Sequence, residues 1–270
     1  MISMGTVWDR TKAAIAGRLN ILLSLAVLFL FVPTVVQAVV DVMVNRPGEQ
    51  SGGSGILSLM VSILATVGTL AITAVATDPN VDRARAASLG TGRVLPALGI
   101  IILLSLAAVL IFLPGFALLL LSGFDMTRAQ LGQAQGNLNL GMAAAGGLYF
   151  VVVSVLLFWA TARFVPLLSI IVNERRGLGA IRRSFQLTRG STLKLIGVLI
   201  LFAIVCVVAL FAATSVVGLI SRLLAGPDQP GAVTLAIAVV TASLTAFFGV
   251  IQSVFAGQFY LAARDVKDLV

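Results

Sequence analysis

The segment from Trp159 to Lys194 reads WATARFVPLLSIIVNERRGLGAIRRSFQLTRGSTLK. It begins in an apolar run that carries Arg163 and Pro166 and ends at Glu174, where a short basic amphipathic segment follows. A new apolar run then begins at Thr192. Long apolar runs joined by short basic connections are typical of helices that cross a membrane. The segment therefore predicts a polytopic helical membrane protein, and the rest of the chain repeats the same pattern.

Composition supports this prediction and excludes other classes of protein. The 270 residues are 59% hydrophobic and 10% charged, whereas soluble domains carry about 25% charged residues. The chain has no histidine and one cysteine, Cys206, so we expect no internal disulfide, no Cys/His metal site and no cofactor. The net charge is +8, and the basic residues lie beside the apolar runs. This placement indicates anionic lipid rather than nucleic acid as the partner.

The apolar runs predict an all-α fold in one transmembrane domain, residues 1–270. Each run is continuous over a length that suits a spanning helix, and the strands of a barrel would alternate over only about 10 residues. Pro33 predicts a kink in the first span, and Pro166 predicts a kink or a tilt in the fourth. The N-terminus resembles a signal peptide, but its apolar run is long enough to span, so we expect it to be retained. The six spans are expected at about 19–42, 56–77, 94–121, 143–172, 192–219 and 232–262, and three amphipathic elbow helices at about 6–18, 81–93 and 177–190.

The distribution of lysine and arginine predicts the orientation of the spans. Arg163 lies within a span and is left out of the comparison. The loops on one side hold Arg46, Arg128 and Arg222, and all the other basic residues lie on the side of the two termini. Because basic residues favour the cytoplasmic side, we expect a multi-pass protein of a bacterial inner membrane with both termini in the cytoplasm.

The chain also shows a pattern that predicts a threefold repeat of helix pairs. A basic segment leads into a span, a polar outer loop and a return span, and the segments DRTKAAIAGR and DRARAASLGTGR resemble each other. Repeats are common in membrane folds and often place a cavity at their interface. The alternative is that every cytoplasmic loop must be basic, so that similar loops do not require a repeat.

Arg163 lies well inside a predicted span, whereas the other basic residue within the span bounds, Lys194, lies in the first turn of the fifth span. Arg163 lies about 15 Å from the inner end of its helix, at about 1.5 Å per residue. An arginine near mid-membrane costs at least ~2.5–3.5 kcal/mol, so it should face the bundle interior or a hydrated cavity, or snorkel toward the inner surface. Two interpretations stay open: a structural arginine bonded to backbone carbonyls or to a glutamine, and an anchor for a lipid phosphate, which suits the planar guanidinium.

Residues 177–190 predict a helix that lies in the membrane interface. At about 100° per residue, the apolar Leu178, Ile181 and Phe185 fall on one side, which we expect to face acyl chains. The opposite side carries Arg182, Arg183, Gln186 and Arg189. This elbow is interpreted either as a topology anchor or as a site that recognises a headgroup or a partner.

Glu174 and the residues around it are expected to form a structural frame for these cations. Its carboxylate is placed to pair with Arg175, Arg176 or Arg182, a surface pair worth about 0–1 kcal/mol. The candidate lipid- or anion-binding residues are Arg163, Arg182, Arg183, Arg189 and Lys194, and the structural frame is Pro166, Glu174, Ser184 and Gly190.

This stretch resembles the membrane domain of membrane-anchored glycerophosphoryl diester phosphodiesterases and of related uncharacterised six-helix bacterial inner-membrane proteins. Their pattern is an arginine and a proline in the fourth helix, a glutamate followed by glycine, and then Ala-Leu-x-Arg-Ser-aromatic-x-Leu-x-x-Gly. This chain departs from it by the Arg175-Arg176 pair, which is inserted between Glu174 and Gly177. The resemblance implies a helical inner-membrane domain linked to phospholipid or envelope biology. It does not imply phosphodiesterase activity, which belongs to a separate soluble domain of those proteins. The matching positions are Arg163, Pro166, Glu174, Gly177, Ala180, Arg183, Ser184, Phe185, Leu187, Thr188 and Gly190.

The sequence does not favour catalysis, so we expect no enzyme and no catalytic residue. General acid–base chemistry needs titratable groups placed together, and the acidic residues lie near span ends or in loops. The first functional hypothesis is a protein that binds, and in one version transports, an anionic phospholipid or similar amphiphile in envelope homeostasis. The alternatives are a non-catalytic scaffold or regulator that binds a protein partner or a second copy of itself, and a small-solute transporter or channel.

Overall fold

The computed structural model describes residues 3–44, 52–133, 136–226 and 229–268. Within these ranges the chain is largely helical and contains no strand, and six helical segments are long and apolar enough to cross a membrane. The six predicted spans are therefore confirmed. The helices are α1 (Met4–Ala26), α2 (Val32–Val44), α3 (Gly52–Thr77), α4 (Arg83–Leu121), α5 (Met126–Gln130), α6 (Leu140–Phe164), α7 (Leu167–Asn173), α8 (Gly179–Thr188), α9 (Thr192–Ala225) and α10 (Pro230–Lys267). Parts of the predicted outer loops, residues 45–51 with Arg46, 134–135 and 227–228, lie outside the described residues.

The first span runs through α1 and α2 and is joined by a π-helical turn, Val27–Phe31. Pro33 explains this turn, because proline has no N–H for the carbonyl of Phe29 and its ring crowds that carbonyl. The chain widens so that the N–H of Val32 bonds the carbonyl of Val27, five residues earlier, which is the pattern of a π-bulge. The irregularity that we expected at Pro33 is therefore this π-helical turn, which lies one turn before the proline.

The first elbow, residues 6–18, ends at a kink within α1: Arg18 has a non-helical φ of −133° and ψ of 24°, and two helices meet there. The second elbow differs from the separate helix that we expected. Residues 83–93 continue into α4 without a break, because the alanines of this segment favour helix and no residue in it has a positive φ. The predicted threefold repeat stays a prediction.

The third elbow is a separate helix, α8, because the backbone leaves the helical region on both sides of it. Before α8, Arg175 has a φ of +54°, and after it Gly190 has a φ of +90°. The preceding span is itself broken at Pro166, which ends α6 and precedes the first residue of α7. The predicted fourth span therefore consists of two helices, and the interruption between them falls at the proline.

Packing contacts divide the chain into two compact units, Met1–Leu98 with Phe164–Val270, and Gly99–Arg163. In the second unit, the end of α4 packs on α6. The hydroxyl of Tyr149 donates to the carbonyl of Ile111 at 2.7 Å, and Phe150 contacts Phe112 and Phe116 with ring centroids 5.6 and 5.0 Å apart.

In the first unit the packed core lies at one end, where α1 begins and where α3 and α10 end. The fully buried side chains there include Val7, Leu70, Ile72, Phe259 and Tyr260. Toward the other end, large apolar side chains are exposed, such as Phe211 on α9 at 74%. Apolar side chains exposed along spanning helices are the surface that lipid would cover.

Gly90 allows α4 to pass close to α3. A Cβ atom at this position would lie 2.6 Å from the carbonyl oxygen of Val67, whereas one at Gly92 would meet nothing within 4 Å. We expect Gly90→Ala to destabilise the protein by about 1–3 kcal/mol, because the backbone of α3 must move. Gly92→Ala is the matched control and should be neutral or stabilising by up to ~1 kcal/mol. Thermal unfolding of both variants in detergent would measure this, and equal melting temperatures would contradict the close approach.

Candidate functional site

Helix α8 has a buried side, a half-buried edge and an exposed side, whereas its sequence predicts only an apolar and a basic side. Its buried side consists of small, hydroxyl-bearing or apolar side chains that pack on the protein: Ala180, Ser184, Leu187 and Thr188. Ile181 and Phe185 are half-buried at the edge of this side. The face that we expected Leu178, Ile181 and Phe185 to turn toward acyl chains is therefore partly covered by protein, because the small residues allow close packing; its contact with acyl chains stays a prediction. Leu178 alone of the three is well exposed, at 66%.

Arg183 lies on the protein side of α8, not with the other cations as expected. Its Nε atom is 3.3 Å from Oε1 of Glu174, and its Nη2 atom donates to Oδ1 of Asp268 at 2.8 Å. Only 17% of its side chain is exposed. The same Glu174 oxygen accepts a hydrogen bond of 3.2 Å from the hydroxyl of Tyr260. These four residues, Glu174, Arg183, Tyr260 and Asp268, form an ion-pair cluster that joins the end of α7, α8 and the end of α10.

The cluster keeps Arg183 charged. Its hydrogen bond to Asp268 is the main effect that raises the pKa of Arg183, burial lowers it, and Glu174 adds to the increase. A cationic group whose pKa is raised on folding contributes stability below its unfolded pKa and loses it only above its folded pKa. For an arginine both lie far above working pH, so the contribution of Arg183 itself is constant across that range.

The inserted Arg175-Arg176 pair is accommodated beside this cluster. Arg175 takes the left-handed backbone conformation that normally favours glycine. Arg176 then places its Nε atom 2.9 Å from Oε2 of Glu174. Of the three partners expected for Glu174, Arg176 is the one that pairs, and Arg183 is an additional partner. Arg176 is 54% exposed, so this ion pair contributes about 0–1 kcal/mol.

The other residues of the predicted frame surround the same junction. Pro166 is buried and precedes α7, Ser184 is fully buried, and Gly190 supplies the turn between α8 and α9. Phe185 packs edge-on against Phe164, with ring centroids 5.4 Å apart. The frame therefore fixes α8 against the ends of α7 and α10.

The remaining predicted cations are placed differently. Arg182, Arg189 and Lys194 are exposed. Arg182 and Arg189 lie within about 40° of Leu178 around α8 at about 100° per residue, so they share its outward face, and our expectation that they lie on the opposite side was wrong. Arg163 belongs to the second unit. It is half-buried in the last turn of α6, and its guanidinium carbon lies 4.7 Å from the ring centroid of Trp159, a cation–π contact.

Three polar residues that hold the first unit together were missed from the sequence. Arg18 donates to three carbonyl oxygens at the junction after α3, those of Val75, Asp78 and Val81, at 2.9, 2.8 and 2.6 Å. The amide of Gln258 donates to the carbonyl of Ala76 at 2.7 Å. The third is Asp268, in the cluster above. The available signal was the Asp78-Pro79 pair, because Pro79 has no N–H to donate to the carbonyl of Val75.

Comparison with known proteins identifies the part of the chain that holds the ion-pair cluster. No curated protein and no solved structure matches the chain. A family model described as the membrane domain of glycerophosphoryl diester phosphodiesterase matches residues 142–268, a range that runs from α6 to the end of α10 and contains Glu174, Arg183, Tyr260 and Asp268. The resemblance predicted from the sequence is confirmed: over residues 142–268 this integral membrane protein is similar to the membrane domain of glycerophosphoryl diester phosphodiesterase.

Proposed function

We propose that this protein binds anionic phospholipid at the outward face of α8, in the cytoplasmic leaflet of a bacterial inner membrane, with both termini in the cytoplasm. The observation that carries the proposal is the composition of that face. Arg182 and Arg189 project outward beside the exposed Leu178, while the neighbouring Arg183 is held by two carboxylates.

The outward face combines the two features that bind a protein to a lipid headgroup region. A guanidinium can donate two parallel hydrogen bonds to a phosphate, and each cation near an anionic membrane surface contributes about 1 kcal/mol. Leu178 adds apolar contact with the acyl boundary. The ion-pair cluster has a positioning role, because it fixes the rotation of α8 and so the direction of both arginines. Lys194, exposed in the first turn of α9, supplies a further cation.

Arg163 is included in the proposal as a second contact for lipid phosphate. Its half-buried guanidinium supports this, because a planar guanidinium can donate two hydrogen bonds to a phosphate that enters between the helices. The proposed role is binding, with transport of the lipid as an extension and no catalysis. The alternative that the tests must separate is a scaffold that binds a protein partner or a second copy of this chain.

Lipid selectivity tests the α8 face directly. In nanodiscs with equal amounts of phosphatidylglycerol and phosphatidylcholine, native mass spectrometry of the released wild-type protein should show bound phosphatidylglycerol in excess. In the variant Arg182→Gln with Arg189→Gln, this preference should fall by about 30-fold, from two lost contributions of about 1 kcal/mol.

Two variants serve as comparisons. Arg128→Gln with Arg222→Gln removes the same charge from exposed residues, and Arg222 lies at the far end of α9 from α8; its lipid preference should equal that of the wild type. If both double variants keep the wild-type preference, the α8 face does not bind lipid. Identical bound lipids in wild type and Arg163→Ala would remove Arg163 from the proposal without affecting the α8 face.

A further inference from the structure

We infer that the first unit holds a second lipid site, built around α1, that takes one anionic diacyl phospholipid with an acyl chain on each side of that helix. It shares no residue with the α8 face, so each can fail independently of the other. Two cavities on the surface of α1 carry the inference, and both are lined by Leu23 and Val27.

The first cavity, of about 390 Å³, has a polar end and an apolar end. Asn20, Ser24 and Arg83 line its polar end, and Leu28 and Val32 lie further along the first span. The sequence distance from Asn20 to Val32 corresponds to about 18 Å of helix, close to the ~15 Å of hydrocarbon in one leaflet. The change from polar to apolar lining thus matches the change from headgroup to acyl chain across a single leaflet.

The polar end offers donors that suit a phosphate. Arg83 is exposed and makes no hydrogen bond or ion pair within the described ranges, so its guanidinium is available to bind two phosphate oxygens. The exposed amide of Asn20 adds a further donor. The hydroxyl of Ser24 already donates to the carbonyl of Ile21 at 2.9 Å. Arg83 and Asn20 are therefore the residues that would recognise the headgroup.

The second cavity, of about 290 Å³, lies between α1 and α10 and is apolar. Phe31 and Phe247 are among the side chains that line it. Ser243 is its polar exception, and its hydroxyl is satisfied by the carbonyl of Val239 at 2.8 Å. Nothing in this lining would compensate a polar ligand for its lost hydration, whereas an acyl chain needs no partner.

The contact between the two cavities determines the class of ligand. Leu23 and Val27 are 57% and 42% exposed and form a ridge with one cavity on each side. A free phosphate would use only Arg83 and Asn20, and a fatty acid or lysolipid would fill only one cavity. A phosphate group joined to two chains that straddle the ridge would use every part of the site.

The first test concerns the headgroup. Native mass spectrometry with dioleoyl phosphatidylglycerol as the probe should show about fivefold weaker binding to Arg83→Gln. The matched control is Arg85→Gln, an exposed arginine on the same helix that does not line the cavity, and its binding should equal that of the wild type. Equal effects of the two substitutions would overturn the assignment of Arg83, and full competition by glycerol 3-phosphate would reduce the site to an anion site.

The second test concerns the chains. Ser243→Trp should fill the apolar cavity without entering the core, because Ser243 is exposed. It should weaken dioleoyl phosphatidylglycerol to the level of its lyso form and leave binding of the lyso form unchanged. Thr245→Trp, on the same helix, is the control and should change neither. If Ser243→Trp leaves diacyl binding at the wild-type level, the second chain does not lie there. The double variant of Arg182 and Arg189 should leave this site intact, which separates its outcome from that of the α8 face.

Discussion

Replacing Arg18 with glutamine is expected to destabilise the protein by roughly 3–5 kcal/mol. The guanidinium donates to the carbonyl of Val75 in the last turn of α3 and to those of Asp78 and Val81 just beyond it, and the last carbonyls of a helix have no partner within that helix. The carbonyl of Val75 would ordinarily bond the N–H four residues later, but that residue is Pro79. Hydrogen bonds from charged groups contribute about 1.5–3 kcal/mol each, and access of water to this part-buried site reduces the sum.

Thermal unfolding in detergent would measure the loss, which corresponds to a melting temperature lower by roughly 10 °C. Arg10→Gln is the control, since Arg10 is exposed on the same helix and should change little. Arg18→Lys should recover less than half of the loss, because an ammonium lacks the planar fork that reaches three separate carbonyls. A value for Arg18→Gln within about 0.5 kcal/mol of wild type, the usual range for surface substitutions, would show that these carbonyls do not depend on the arginine.

Replacing Glu174 with glutamine should cost about 2–3 kcal/mol and loosen α8. The substitution keeps the shape of the side chain but removes the charge that faces Arg183. It also leaves one acceptor oxygen in place of the two that serve Arg183 and Tyr260 on one side and Arg176 on the other. Breaking a buried ion pair costs about 3–5 kcal/mol, and the value here is smaller because Arg183 keeps Asp268. Hydrogen exchange should become faster in residues 179–188, and the melting temperature should fall.

A double-mutant cycle separates the cluster from its exposed neighbour. Glu174→Gln and Arg183→Gln should be strongly non-additive, with a coupling of about 1.5–3 kcal/mol, because the two side chains act on one interaction. Arg176→Gln, which removes an exposed pair, should cost less than about 1 kcal/mol. Additive effects of Glu174→Gln and Arg183→Gln would mean that the ion pair contributes nothing to stability.

The spans could be predicted from the sequence because uninterrupted apolar runs, such as residues 192–219, leave few alternatives to a membrane helix. The rotation of α8 could not. Ser184 and Thr188 read as polar, yet they are buried, because their small size allows close packing and Thr188 bonds the carbonyl of Ser184 within the helix. Ala180 and Leu187 are buried as well, and Arg183 lies within about 60° of both around the helix, at the edge of the buried side. Its pairing with the distant Asp268 depends on how α10 ends.

Arg18 shows the same limit for the candidate sites. In the sequence it is one of several cations near the N-terminus, and charge alone predicts only its side of the membrane. Its role as a hydrogen-bond donor to the carbonyls after α3 depends on the packing of α1 beside α3, and the periodicity of the sequence does not predict which helices pack together. The match of residues 142–268 to a family of membrane domains confirms the architecture there and leaves the lipid contacts of Arg163, Arg182, Arg189 and Lys194 as predictions.

The location of the core at one end of the first unit has a consequence for how the protein keeps its shape. In the most hydrophobic windows of the spans, 28% of residues are buried in α3 but only 6% in α9. The end near Tyr260 is therefore cohesive by itself, like the interior of a soluble protein, whereas α9 depends on the surrounding lipid for its lateral support. We therefore expect a change in bilayer thickness to affect α9 more than the end near Tyr260.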